Sequence, residues 1–163
     1  MRRREERGFT LVELLMVVAI IGILAAIAIP NLLNAVQRSK QKKSMVNIRN
    51  LATAWEAYAS DFSKYNAAGI NGASVPVPIS DLTAILSPTY IKVIPTKDGW
   101  ERDLSAFCEF ALGDASTATR YVIESPGRDG VYDNNPTPGA FGNFDCDIIY
   151  ANGQFVTFPQ GSG

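Results

Sequence analysis

From Phe9 to Ile29 the chain offers twenty-one positions, of which only Thr10 and Glu13 are polar. A helix of that length rises about 31 Å at ~1.5 Å per residue, matching a hydrocarbon core of about 30 Å. The pattern predicts a membrane-spanning helix. A secretory leader with MRRREER as its charged start is the alternative, but the run is long for one and flows into further helical sequence. After Pro30, apolar residues return at spacings of three and four: Met45, Ile48, Leu51, Ala52, Trp55, Tyr58, Ala59 and Phe62. That spacing lays them on one face of an amphipathic stretch. QRSKQKKS, between the two, reads as a polar turn or two at the membrane surface. Phe9 to about Ser63 is therefore expected as one long helix, interrupted only near Gly22 and Pro30.

Beyond Lys64 the period changes. Residues 65–78 are rich in Ala, Gly, Asn, Ser and Pro and predict a loop. Ser80 stands where it can cap a short helix over Asp81 to Leu86, which Pro88 ends. LSAFCEFAL (Leu104–Leu112) and TRYVIES (Thr119–Ser125) read as strands, and DIIYANGQFVTF reads as a hairpin turning on Asn152-Gly153 in type I′ geometry. The turn-rich SPGRDGVYDNNPTPGAFGNFDCD precedes that hairpin. The expected fold class is α+β: a long N-terminal helix, transmembrane in its first half, packed on a small antiparallel sheet.

Charge narrows the function classes. Residues 1–7 hold four arginines and two glutamates, residues 31–64 six basic and two acidic groups, and residues 65–163 five basic and eleven acidic, a balance of −6. An acidic outer domain lacks the basic footprint that nucleic-acid binding needs. The basic clusters on the two sides of the apolar run match each other, so charge leaves its orientation open. The chain contains no histidine, which removes Ser-His-Asp and Cys-His nucleophile systems and His-containing zinc sites. It also lacks a phosphate-binding glycine loop and a dinucleotide fingerprint. No enzymatic chemistry is expected.

RGFTLVELLMVVAIIGILAAIAIP resembles the N-terminal signature of type IV pilins and type II secretion pseudopilins, through Gly8, Phe9, Thr10, Leu11, Val12 and Glu13. The resemblance implies a pilin-like fold, cleavage after Gly8 by a membrane aspartyl prepilin peptidase, and N-methylation of Phe9. It divides the chain into a leader (1–8), a transmembrane and filament-core helix (9–30), an amphipathic helix (31–64) and a periplasmic globular domain (65–163). The later chain is most similar to the major, G-type pseudopilin. DLTAILSPTYIKVIPTKDGW leads to Pro95, Asp98 and Trp100, and the loop motif matches at Ser125, Gly127, Asp129, Gly130, Asp145, Asp147 and Ile148. Asn66 stands where that family often has Pro, Gly99 and Glu101 replace a usual Pro and Gly, and the loop is long and holds a cysteine.

By this resemblance the chain is a subunit of a pseudopilus assembled from the bacterial inner membrane and driving protein export. A type IV pilus subunit, for adhesion, twitching or DNA uptake, is the alternative, and a monomeric membrane-anchored binding domain is a third. The implied partners are further copies of the chain, the prepilin peptidase, minor pseudopilins, the inner-membrane assembly platform and the membrane itself. Glu13 is then an assembly residue: a carboxylate is costly in lipid, and in a helix bundle it can meet the new Phe9 amine of a neighbouring copy. Asp129, Asp145 and Asp147 match the family's calcium motif, with backbone carbonyls near Ser125–Gly127 and Val131 to complete the shell. Cys108 and Cys146 are expected to pair, as two cysteines in an oxidising compartment usually do.

Overall fold

The computed structural model describes residues 8–63, 77–109, 120–133 and 137–160. Of the loop expected over 65–78, residues 65–76 lie outside them, as do the strand ends at Phe110–Leu112 and Thr119 and the leader before Gly8; Val77 and Pro78 form a short strand instead, paired with Ala106 and Ser105. The chain divides into two units, Met1–Val36 and Gln37–Gly163. Helix α1 spans Leu11–Phe62, 52 residues.

Thr10 and Glu13 start α1 with a reciprocal capping box. The Thr10 hydroxyl accepts from the Glu13 amide at 3.2 Å, while Glu13 Oε2 accepts from the Thr10 amide and hydroxyl, each at 2.9 Å. First-turn donors without an intrahelical partner are thereby satisfied. Gly22 and Pro30 were expected to interrupt the helix, but α1 runs through both. It ends where Ser63 turns left-handed, at φ +56°.

In the first unit none of the described residues is buried, and Phe9, Leu11 and Leu24 are 77%, 74% and 63% exposed. This stretch makes α1 long and apolar enough to cross a membrane.

In the second unit α1 buries Gln41, Ser44, Ile48, Leu51, Ala52, Ala54, Trp55, Tyr58 and Ala59. The amphipathic face is as the spacing predicts, with one correction: Phe62 is 54% exposed. Lying at the end of the helix, it reaches past the core and stacks on Tyr58 instead.

Strands β1 (Val77–Pro78), β2 (Ser105–Glu109), β3 (Arg120–Ser125), β4 (Gly139–Phe141), β5 (Ile148–Ala151) and β6 (Gln154–Pro159) form a sheet ordered β1-β2-β3-β5-β6-β4. Four of its pairings are antiparallel, but β4 runs parallel to β6, with Ala140 opposite Phe158. The purely antiparallel expectation is corrected at that edge. Alternate residues Ala106, Cys108, Tyr121, Ile123, Ile148 and Tyr150 join the α1 face in one core, as period-2 side-chain direction requires. Trp55 and Tyr121 anchor it, ring centroids 5.2 Å apart.

The β5–β6 turn has φ +47° at Asn152 and +92° at Gly153, the two positive angles of a type I′ turn. The short helix departs from expectation at its start. A 3-10 turn over Ile79–Leu82 precedes α2 (Thr83–Leu86), whose N-cap position falls at Leu82 and not at Ser80. It stops at Ser87, which is extended before Pro88.

Candidate functional site

The first candidate locus is the start of α1. Gly8 and Phe9 precede the helix and are exposed. Glu13, expected as an assembly residue, lies on the first helical turn with its carboxylate folded onto Thr10. The capping box therefore gives this carboxylate hydrogen bonds within its own chain, which lowers the cost of keeping it in an apolar setting.

The second locus joins α1 to the segment before β2. Gly99 approaches the helix so closely that a Cβ there would overlap the Lys40 carbonyl. Ser44 bridges the contact, donating its hydroxyl to Lys40 O at 3.0 Å and accepting from the Gly99 amide at 2.8 Å. Trp100 Nε1 donates to Gln37 Oε1 at 2.7 Å and Asn47 to Lys97 O at 2.8 Å. Asp98, wholly buried, accepts from the Trp100 and Arg102 amides on Oδ1 and from the Ser125 hydroxyl on Oδ2. Asp98 thereby connects the helix-docking segment to the end of β3, where the third locus begins.

That third locus is the acidic loop from Ser125 to Asp147. The structure does not gather Asp129, Asp145 and Asp147 around one point. Asp145 forms a two-pronged ion pair with Arg128, Oδ1 to Nε and Oδ2 to Nη2, both at 2.6 Å. Hydrogen bonding to that guanidinium holds the Asp145 carboxyl below the usual carboxylate range. Asp129 Oδ1 accepts from the Val131 amide at 3.0 Å, as an Asx turn. Asp147 is wholly buried; Oδ2 accepts from the Asp133 amide at 2.7 Å, while Oδ1 has no hydrogen-bond donor.

The residue beside Asp147 is one the sequence pattern does not single out. Glu124, on β3, pairs across with Ile149 and so rises from the sheet face opposite α1, with Asp147 just before the start of β5. Glu124 is only 8% exposed. Burial, then its hydrogen bond to Asp147, pushes its carboxyl up to about 8. Burial also raises Asp147 above the usual carboxylate range. Tyr132 packs over this face, its hydroxyl 2.8 Å from Ser105 Oγ and donating to Asp103 O at 2.9 Å.

Among the described residues, no three His, Cys, Asp or Glu side chains are gathered as a metal centre. The residues fit a hard cation in part. Asp147, buried and with an unmet oxygen, suits one, whereas Asp145 is already neutralised by Arg128.

No bridge joins the cysteines. Cys108 pairs with Tyr121, whereas Ile148 pairs with Ser125, four residues further along β3. Cys146 lies further still, its carbonyl against Gly127. Four residues of strand span about 13 Å and the two strand spacings between β2 and β5 about 9.5 Å, far beyond the ~7 Å limit between Cα atoms of a disulfide. The expected pairing is corrected on that ground. Burial pushes the Cys108 thiol up to about 12 and the Cys146 thiol up to about 11, and Cys146 donates to Asn143 O at 3.1 Å.

Comparison with known proteins follows the same division. Residues 3–29 match the prokaryotic N-terminal methylation motif. With the α+β fold, this defines the pilin-like class. Over 60 residues the chain is 53% identical to the type IV major pilin protein PilA of Myxococcus xanthus, covering 37% of this chain but only 27% of that protein. It is 31% identical to the type II secretion system core protein G of Vibrio cholerae, over 79% of this chain and 87% of the relative. Against the core protein G of Klebsiella michiganensis it is 32% identical, over 80% and 89%. The chain belongs to the family of the type II secretion system core protein G. No solved structure matches it significantly.

Proposed function

We propose that the chain is the repeating subunit of a type II secretion pseudopilus, held in the bacterial inner membrane by the first part of α1 and assembled into a filament in the periplasm. The observation that carries this reading is the apolar surface of the first unit, of which no described residue is buried. Such a surface calls for lipid before assembly and neighbouring copies after it. The relatives named as secretion core proteins support the secretion role. The match to a type IV pilin supports a surface pilus as the second reading. The work is mechanical, with no substrate chemistry. Its partners are further copies, the prepilin peptidase, minor pseudopilins and the assembly platform.

Glu13 supplies the charge that a neighbour's Phe9 amine meets in the filament. Glu13→Gln separates this role from the capping box, because a Gln carbonyl still accepts from Thr10 while the charge is gone. The variant is expected to insert at normal levels and to leave secreted proteins in the periplasm, with no filament. Normal filament yield would sink the charge-pairing role. Unchanged secretion from cells lacking the chain, together with loss of surface filaments, would favour the pilus reading.

The calcium ion implied by the resemblance would be held by Asp147, with Asp129 nearby, and would supply positive charge to a loop dense in carboxylates.

A further inference from the structure

We propose that the folded unit begins with a collar of cations, built by α1 and the segment before β2, that binds anionic phospholipid headgroups of the membrane. The inference rests on the reading above that the first part of α1 lies in that membrane, and not on the filament or the export role. From Gln37 to Arg49 the chain holds Arg38, Lys40, Lys42, Lys43 and Arg49 and no acidic residue. Residues 65–163 carry the opposite balance, with five basic and eleven acidic groups. Helix α1 is continuous over this stretch, so its period sorts the cations by direction.

Arg38, Lys42 and Arg49, at steps of four and seven, form one exposed stripe. Lys42 and Arg49 make no ion pair among the described residues. Lys40 and Lys43 lie on the other flank, where folding brings up a second segment: Lys43 Nζ is 3.0 Å from Glu101 Oε1, and Asn47 holds the Lys97 carbonyl at 2.8 Å. The hydrogen bond from Lys43, then the charges of Lys97 and Lys40, hold the Glu101 carboxyl below the usual carboxylate range. Asp103, paired with Lys97 in a β-bridge, adds a second acid. Six cations on two flanks thus stand against two exposed acids. Cations on both flanks of one helix suit a headgroup layer that surrounds it, whereas a neighbouring copy covers one flank at a time. Chain order favours lipid too, because Arg38 comes two residues after Val36, the end of the apolar unit. Trp100 joins the collar, its indole Nε1 donating to Gln37 Oε1 at 2.7 Å, and tryptophan is enriched where membrane meets water. Each Lys or Arg beside a membrane span adds attraction to anionic lipid.

The test titrates the full-length chain in nonionic detergent with phosphatidylglycerol or phosphatidylcholine and counts bound lipid by native mass spectrometry. Wild-type protein is expected to bind phosphatidylglycerol on the order of tenfold more tightly than phosphatidylcholine, a preference that high salt removes. The double variant Lys42→Gln/Arg49→Gln, which strips the exposed stripe, should weaken phosphatidylglycerol binding about fivefold to tenfold and leave phosphatidylcholine unchanged. Lys97→Gln should weaken it about threefold. Because Lys97 lies far from α1 in sequence, that variant separates a collar built by folding from a plain basic run. All three side chains are exposed, so the melting temperatures should match the wild type.

Equal binding of the two lipids by the wild type, or phosphatidylglycerol binding unchanged in both variants, would overturn the proposal. Loss in the double variant alone would overturn the part assigned to Lys97 and the fold. Unchanged lipid binding with a lower filament yield would overturn it in favour of a neighbouring copy's acidic domain. A wild-type chain that fractionates away from membranes would overturn the membrane reading itself, which equal lipid binding by a membrane-embedded chain does not, so the two failures are distinguishable.

Discussion

Asp98 lies wholly buried with both carboxylate oxygens committed, to the Trp100 and Arg102 amides and to the Ser125 hydroxyl. Asp98→Ala strands those donors in the interior and is expected to cost about 3–5 kcal/mol. Asp98→Asn keeps one carbonyl oxygen for the amides and offers an NH2 to Ser125, so its cost should be nearer 1 kcal/mol. Equilibrium unfolding followed by tryptophan fluorescence measures both, and equal losses in the two variants would contradict the hydrogen-bond account. The resemblance singles out Asp98 and Trp100, and the structure supplies the physical reason for each. It does so for Glu101 too, which sits at φ +63°, where the family's usual Gly is unstrained. Glu124 was not legible. A lone acid among Tyr121, Val122 and Ile123 reads as the solvent side of a strand, and only the loop over that face makes it buried. Arg128 hid for the same reason, since its partner Asp145 is seventeen positions away.

Between elements, Gly99 lies backbone to backbone against Lys40 of α1. A methyl group at 99 has nowhere to go unless the segment lifts from α1, breaking the Ser44 and Trp100 hydrogen bonds. Gly99→Ala is therefore expected to lose more than about 2 kcal/mol and to shift Trp100 fluorescence towards that of a solvated indole. An unshifted spectrum with wild-type stability would contradict this docking. The long helix, its buried face and the Asn-Gly hairpin were readable because each repeats a local rule over enough residues. Strand β4 was not: its three residues lie in a turn-rich stretch, too short to show a period, and its parallel partner is set by the return of the chain. The cysteine pairing failed on register. Each cysteine occupies a plausible place in its own segment, but the offset of β2 against β5 across β3 is written in no local pattern.

For the molecule as a whole, the match to the prokaryotic N-terminal methylation motif over residues 3–29 supports the expected cut after Gly8. Intact mass of membrane-purified protein should lack Met1–Gly8 and carry one added methyl. Gly8→Val should retain the leader, because a β-branched side chain crowds a cut site shaped for none; retained Met1–Gly8 in assembled wild-type material would contradict the processing. The first unit buries none of its described residues, whereas the core begins at Gln41, and this division bears on genetic dominance. A substitution in residues 9–36 leaves the folded unit intact, so the altered subunit survives, competes for filament ends and poisons assembly beside a wild-type copy. A substitution in the core unfolds its own chain, which is degraded before it can compete. Defects of the first kind should be dominant and those of the second recessive, with the boundary near Gln37.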